Sequence, residues 1–301
     1  MYNQNDLQFK SGFAVMAGLA NAGKSTLLNK FAGVDLSPVT HKPQTTRQNI
    51  LAISEGEHYQ IVFVDTPGFL HAEYKLQQVM LNSLNQAMGE DADVVIFVYD
   101  ATAGLPRHLP LIKKIKELYC PVLLVINKID LIRGDEIHKI QKVLLDELDV
   151  KKVFLVNAKA GLGVKEVEAA VVDYIPFSPP YFPKGQLTDR WERFYIAEFI
   201  REQIFLLYNQ EIPYASYVEV DTFTENLGDK NFIKAIIHVE RESQKPIIIG
   251  KGGAAIAKLR KDAQARIEDF LKQKYRLELQ VVVTPQWRSN TKILRQFGYL
   301  D

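Results

Sequence analysis

The chain has 301 residues, 47% of them hydrophobic and 24% charged, with a formal net charge of +1. That length exceeds one small core and suits two domains of ordinary size, while the near-neutral balance means that any surface for a polyanion must come from local segregation of charge. One cysteine, Cys120, excludes an internal disulfide and fits a reducing compartment; no apolar run approaches the ~20 residues of a membrane span, and the polar first ten residues lack a signal peptide's apolar core, so a soluble cytoplasmic protein is expected.

In chain order, short apolar runs predict strands at 13–17, 50–53, 60–64, 94–99, 122–126 and 153–156. Helix-like segments lie between them, among them 24–31, 109–118 and 136–148. Several runs are continuously apolar rather than alternating, as in strands buried on both faces. Strand–helix alternation predicts an α/β, doubly wound sheet with ligands at the carboxyl ends of its strands. Composition then breaks: residues 176–183 read PFSPPYFP, four prolines in eight positions, which predicts a stiff boundary. Beyond it come a helix at 190–208, alternating strands at 217–223 and 232–239, a glycine-rich turn, a long helix at 254–274 and a strand at 277–283. The expected domains are 1–176, a proline-rich linker at 177–189, and 190–301. Residues 241–295 hold 13 lysines and arginines against 5 acids, a locally basic stretch that suits a polyanion.

Gly18-Leu19-Ala20-Asn21-Ala22-Gly23-Lys24-Ser25 matches G-x-x-x-x-G-K-S, placed after a strand and opening a helix. Its glycines let backbone N–H groups curl around phosphates, and the helix N-terminus favours negative charge. Lys24 is expected to reach the β- and γ-phosphates and the Ser25 hydroxyl to ligate Mg²⁺. Asp65-Thr66-Pro67-Gly68 follows a second apolar strand; Asp65 is placed to hold Mg²⁺ through water, and the Gly68 N–H to sense the γ-phosphate. Asn127-Lys128-Ile129-Asp130 follows a third. A carboxylate there accepts from guanine N1–H and its amino group, whereas adenine offers an acceptor and no amino group, so the match becomes a repulsion. A chain carrying these three motifs in this order is expected to bind GTP and GDP.

Residues 12–175 resemble a Ras-like GTPase domain of the bacterial ribosome-assembly type. Gln44-Thr45-Thr46-Arg47 resembles the effector-loop motif of that family. The resemblance puts the metal-ligating threonine at Thr46, with Thr45 the runner-up, so the metal set is Ser25, Thr46 and Asp65. It puts Ala158, in Asn157-Ala158-Lys159, beside the guanine oxygen, with Asn157 departing from the family's usual serine. The implied nucleotide set is Gly18, Asn21, Ala22, Gly23, Lys24, Ser25, Thr26, Asp65, Thr66, Gly68, Asn127, Lys128, Asp130, Ala158 and Lys159, with the catalytic roles on Lys24, Thr46 and Gly68. Phe69 stands where Ras-type enzymes carry a water-orienting glutamine, and it can neither donate nor accept. Unless Leu70 or His71 shifts into register, water must then be placed by backbone, a potassium-like cation or a partner, and slow turnover in the absence of a partner is expected.

Ile247-Ile248-Ile249-Gly250-Lys251-Gly252-Gly253 leads into the long second-half helix inside the basic stretch. G-x-x-G between helices is the signature of KH domains, whose loop clamps the backbone of a single strand. Gly250, Lys251, Gly252, Gly253 and Lys258 are the candidate RNA-binding residues. With Thr188-Asp189-Arg190, Ile212-Pro213-Tyr214 and Phe297-Gly298-Tyr299, the chain resembles the Era family, bacterial GTPases with a C-terminal type II KH domain of α+β fold. The resemblance implies binding near the 3′ end of 16S ribosomal RNA, a part in maturation of the small ribosomal subunit, and peripheral contact with the inner face of the cell membrane; a monomer is expected. A second reading stays open, an RNA-binding adaptor in which GTP mainly locks a shape and turnover is negligible.

Overall fold

The computed structural model describes residues 8–225 and 231–300. They form two compact units, each assembled from separate stretches of chain. The first takes the described residues through Ser37, then Thr46–Ala72 and Met80–Asp189; the second takes Pro38–Thr45, Glu73–Val79 and the described residues from Arg190.

The first unit is built on β1 (Lys10–Gly18), β2 (Ile50–Glu55), β3 (Tyr59–Asp65), β4 (Val94–Asp100), β5 (Val122–Asn127) and β6 (Lys152–Val156), in the order β2-β3-β1-β4-β5-β6. Only β2 runs antiparallel, against β3. Every residue of β4 and β5 is buried, which is why these strands read as unbroken apolar runs. Helix α1 (Lys24–Ala32), the part of α2 (Lys75–Gln86) from Met80 onward, and helices α3 (Leu105–Ile115), α4 (Gly134–Glu147) and α5 (Val164–Tyr174) intervene. Leu84, Leu111 and Leu144 pack with Val95, Phe97, Leu124 and Ile126 in one core. Helix α3 starts four residues earlier than the apolar spacing predicts, because Gly104 at φ 72 turns the chain and a proline follows in the first helical turn. The parallel register brings Asp100 level with Asn127 and Asn127 level with Val156, so the ends of β4, β5 and β6 share one edge of the sheet. The proline-rich segment is held against this unit: Gln60 exchanges two 2.9 Å hydrogen bonds with the Phe182 backbone, and Ile53 N–H donates to Leu187 O at 2.9 Å.

In the second unit, α6 (Glu192–Leu207) and α7 (Ile212–Ala215) precede β7 (Tyr217–Thr224) and β8 (Asn231–Val239). Then come α8 (Lys245–Ile249), α9 (Ala254–Leu271), β9 (Tyr275–Val283) and α10 (Thr291–Gln296). The sheet order is β7-β8-β9, antiparallel then parallel. Alternation in β8 buries Ile233, Ala235, Ile237 and Val239 on one face. Helix α9 ends three residues short of the predicted stop, since Lys272 adopts a left-handed conformation at φ 55. The segment Pro38–Thr45 packs here through charged groups. Lys42 Nζ caps the end of α6, donating to Phe205 O at 2.6 Å, to Tyr208 O and to Asn209 Oδ1 at 2.9 Å, which suits the negative end of a helix. Glu202 accepts the Val39 N–H at 2.8 Å, and the buried Arg201 guanidinium donates to Thr45 O and to Glu198. Among the described residues, no helix is long and apolar enough to cross a membrane.

Candidate nucleotide site and nucleic-acid interface

Between β1 and α1 the chain turns through Asn21 at φ 64 and Gly23 at φ 99. A Cβ on Gly23 would fall inside the Asn127 amide, and one on Gly18 would lie 2.5 Å from Val98 O, so neither position admits a side chain. Lys24 opens α1 and is buried, its Nζ donating to Gly18 O at 3.2 Å and Leu19 O at 3.0 Å. Burial lowers its pKa to about 8, against the attraction of Asp65. The ammonium therefore sits in a loop of curled backbone, where a phosphate would compete for it on favourable terms.

Asp65 ends β3 and collects hydroxyls on one oxygen. Its Oδ2 accepts from Ser25 Oγ at 2.6 Å, Ser37 Oγ at 2.8 Å and Thr46 Oγ1 at 3.3 Å, while Ser25 and Thr46 hydroxyls lie 3.0 Å apart. Asp65 Oδ1 is buried with no hydrogen-bond partner. Burial raises the Asp65 pKa, opposed by Lys24 and the three hydroxyls. Of the two candidate threonines, Thr46 stands in this cluster, whereas the Thr45 hydroxyl is engaged with Thr40 at 2.6 Å and Lys42 O at 2.9 Å. The Thr66 hydroxyl donates its proton to Met16 O at 2.7 Å, tying the end of β3 to β1. Gly68 lies against the phosphate loop: a Cβ there would come within 2.6 Å of Ala20 N and Cα. Phe69 donates its N–H to Gly18 O at 2.9 Å, and its side chain packs on the core of the sheet.

At the end of β5, Asn127 spends both ends of its amide. Nδ2 donates to Ala22 O at 2.8 Å and Oδ1 accepts the Ala158 N–H at 3.0 Å, joining the phosphate loop to the loop after β6. Lys128 follows in a left-handed conformation at φ 66, and its ammonium pairs with Asp100 Oδ2 at 2.8 Å. Burial pushes the Asp100 pKa up, but hydrogen bonds from Lys128 and Thr102 outweigh it and hold the carboxyl below its ordinary value. Asp130 and Lys159 are exposed at the same edge. Asn157 acts as a turn former, its Oδ1 accepting the Ala160 N–H at 3.1 Å while its backbone exchanges two bonds with Leu162. Sequence reasoning missed Ser37 and Asp100; Asp100, an acid at the carboxyl end of a buried strand, carried a signal that could have found it.

In the second unit the loop Gly250–Gly253 joins α8 to α9 with Gly250, Gly252 and Gly253 at φ 74, 59 and 81. A Cβ on Gly250 would meet Ala255 Cβ at 2.5 Å, so that glycine is required by packing. Gly252 and Gly253 have no neighbour within 4 Å of such a Cβ, leaving their backbone open to a strand, and Lys251 is exposed beside them. Lys258 is exposed one turn into α9, paired with Asp262 at 3.1 Å. Alongside runs a groove of about 460 Å³ between α9 and β9, lined by Ala257, Arg260, Lys261, Gln264, Arg276 and Leu277, with Ala265 and the acidic Glu268 also in its wall. Its two arginines, lysine and apolar floor suit stacked bases and a phosphate backbone. These groove residues were also missed, since they converge from two elements.

Residues 13–128 match the family model described as 50S ribosome-binding GTPase, and residues 211–288 match that of the KH domain. GTPase Era of Elusimicrobium minutum is 61% identical over 296 residues, covering 98% of this chain and 99% of the relative. GTPase Era of Carboxydothermus hydrogenoformans is 38% identical over 297 residues, 98% and 99% of the two chains. The crystal structure of a single-residue variant of Aquifex aeolicus Era bound to GDP·AlF4⁻ aligns with a TM-score of 0.92 at 33% identity over 97% of this chain and 100% of its own. A structure of Era in complex with MgGDPNP and nucleotides 1506–1542 of 16S ribosomal RNA aligns with the same score, identity and coverage. On this full-length identity and on the two family models in this order along the chain, this chain belongs to the Era family of GTPases with a C-terminal KH domain.

Proposed function

We propose that the GTPase cycle of this chain runs on Mg²⁺-bound GTP held by the loop Gly18–Ser25, and that its KH unit binds the 3′ region of 16S ribosomal RNA to assist maturation of the small ribosomal subunit. The observation that carries the first half is the oxygen cluster of Ser25, Thr46 and Asp65 beside the buried Lys24. Two neutral hydroxyls 3.0 Å apart and a buried carboxylate with a free oxygen are the hard oxygen donors that Mg²⁺ takes, with the carboxylate acting through a water. Mg²⁺, when bound, neutralises charge on the β- and γ-phosphate oxygens. Lys24 would exchange its two carbonyl partners for phosphate oxygens, and Asp130 would read the guanine edge. Support for the RNA half is the open loop Gly250–Gly253, the adjoining basic groove, and the relative solved with 16S ribosomal RNA.

Packing of Phe69 on the core leaves the position after Gly68 without a side chain for orienting water, which favours slow turnover by the chain alone and keeps the adaptor reading in play. Multiple-turnover GTP hydrolysis, measured with and without an RNA carrying the 3′ end of 16S ribosomal RNA, separates the two. Turnover that rises on adding RNA is the expected result; RNA binding with no turnover above background in either case supports the adaptor.

A further inference from the structure

Four oxygen-bearing side chains meet at the carboxyl end of β3, and three of them belong to the nucleotide motifs. The fourth is Ser37, 1% exposed, with its Oγ 2.8 Å from Asp65 Oδ2. Its backbone is clamped at two points by Asn29 of α1: Asn29 Nδ2 donates to Ser37 O, and Ser37 N–H donates to Asn29 Oδ1, each at 2.8 Å. Asn29 is itself buried and stands one helical turn after Ser25, so a single helix delivers one hydroxyl to Asp65 directly and fixes a second through an amide.

The four groups divide the work. Ser25 and Thr46 each have a hydroxyl lone pair to offer a cation, and their protons can still go to Asp65. Ser37 is clamped by Asn29 and gives Asp65 Oδ2 a donor on a fixed backbone, while Asp65 Oδ1 is left without a partner. We propose that Ser37 is a positioning residue for magnesium, fixing the rotation of the Asp65 carboxylate, and that Asn29 is the residue that fixes Ser37. This rests on Ser25, Thr46 and Asp65 being the magnesium site.

The test measures release of fluorescently labelled GDP from the full-length protein as free Mg²⁺ is raised from an EDTA baseline. Outer-shell partners of a metal site change its affinity by about tenfold or more. Ser37→Ala should therefore need roughly tenfold more Mg²⁺ for half-maximal slowing of release, with the EDTA rate unchanged. Should Ser37→Ala fail to fold, Ser37→Cys, nearly isosteric with a weak S–H donor, should shift the curve in the same direction by less. Asp65→Asn is the reference for the site itself. A wild-type Mg²⁺ curve for the serine variant beside a shifted one for Asp65→Asn overturns the role of Ser37 alone. A wild-type curve for Asp65→Asn overturns the magnesium-site reading beneath it. Faster release by the same factor with and without Mg²⁺ would show a loosened loop, and overturns the positioning role as well.

Discussion

Burial lowers the Lys24 pKa from its ordinary 10.5 to about 8, so between those values the unfolded chain binds more protons than the folded one. Stability should then rise with pH across that window, and below pH 8 the full cost is present. The shift corresponds to roughly 2–4 kcal/mol at 1.36 kcal/mol per pH unit. Lys24→Met should accordingly stabilise the nucleotide-free protein by about 2 kcal/mol at pH 7, less than the full cost because two hydrogen bonds to carbonyls are lost. Urea titrations of both proteins at pH 7 and pH 10 check this, the gap shrinking at the higher pH, and GTP binding should be lost in the variant. An equal gap at both pH values would place the ammonium's cost elsewhere. Asp130 sets a different kind of preference. Asp130→Asn replaces two acceptors by an acceptor and a donor, so guanine nucleotides should bind far more weakly and xanthine nucleotides, which accept where guanine donates, should gain. Competition binding with GDP and XDP reads both directions at once, and unchanged GDP affinity would remove Asp130 from the base edge.

The loop between α8 and α9 holds glycines that do different jobs. Gly250 is packed, with Ala255 in the way of any side chain, and its φ of 74 with ψ of 171 belongs to glycine alone. Gly250→Ala should destabilise the second unit by about 1–3 kcal/mol or more, and any loss of RNA affinity would follow from the damaged fold. Gly252 is left-handed at φ 59 with open space around it, a conformation aspartate tolerates at about 1–2 kcal/mol. Gly252→Asp should keep the fold and GTP binding yet weaken RNA binding by about tenfold or more, because a carboxylate then faces phosphates. Superimposed RNA affinities over a range of salt for this variant and wild type would make the loop a mere turn. This loop was legible in the sequence because its glycines are closely spaced and framed by apolar and basic residues. So were the phosphate loop and Asn127–Asp130, whose parts lie within a few residues of one another. Ser37 was not legible: serine is commonplace, and its tie to Asp65 spans 28 residues. Nor were the groove residues Gln264 and Arg276, which only the packing of α9 on β9 brings together.

The second unit is not a continuous piece of the chain, and a sequence read end to end hides this. Its boundary looks clean after the proline-rich stretch, yet Pro38–Thr45 and Glu73–Val79 belong to it. The first of these segments bonds to the rest of the unit across about 160 residues of sequence: Lys42 caps α6, Glu202 accepts from Val39, and Arg201 donates to Thr45. Arg201 is 1% exposed, so removing Thr45 would leave part of a buried guanidinium to Glu198 alone. A fragment of residues 190–301 should therefore fold but lose stability. Each hydrogen bond to a charged group contributes about 1.5–3 kcal/mol, and water replaces part of that in the fragment, so a loss of roughly 2–4 kcal/mol is expected. The fragment's urea midpoint should lie below the transition of the same unit in the full-length protein, followed by near-ultraviolet signal from the buried Trp287 in a variant with Trp191 replaced by Phe. Lys42→Ala in the full-length chain should move that transition part of the way toward the fragment's. RNA affinity of the folded fragment should keep the salt dependence of the whole protein, because the loop Gly250–Gly253 and its groove are contained within it. A fragment as stable as the intact unit would mean that the two borrowed segments lie on its surface without holding it together.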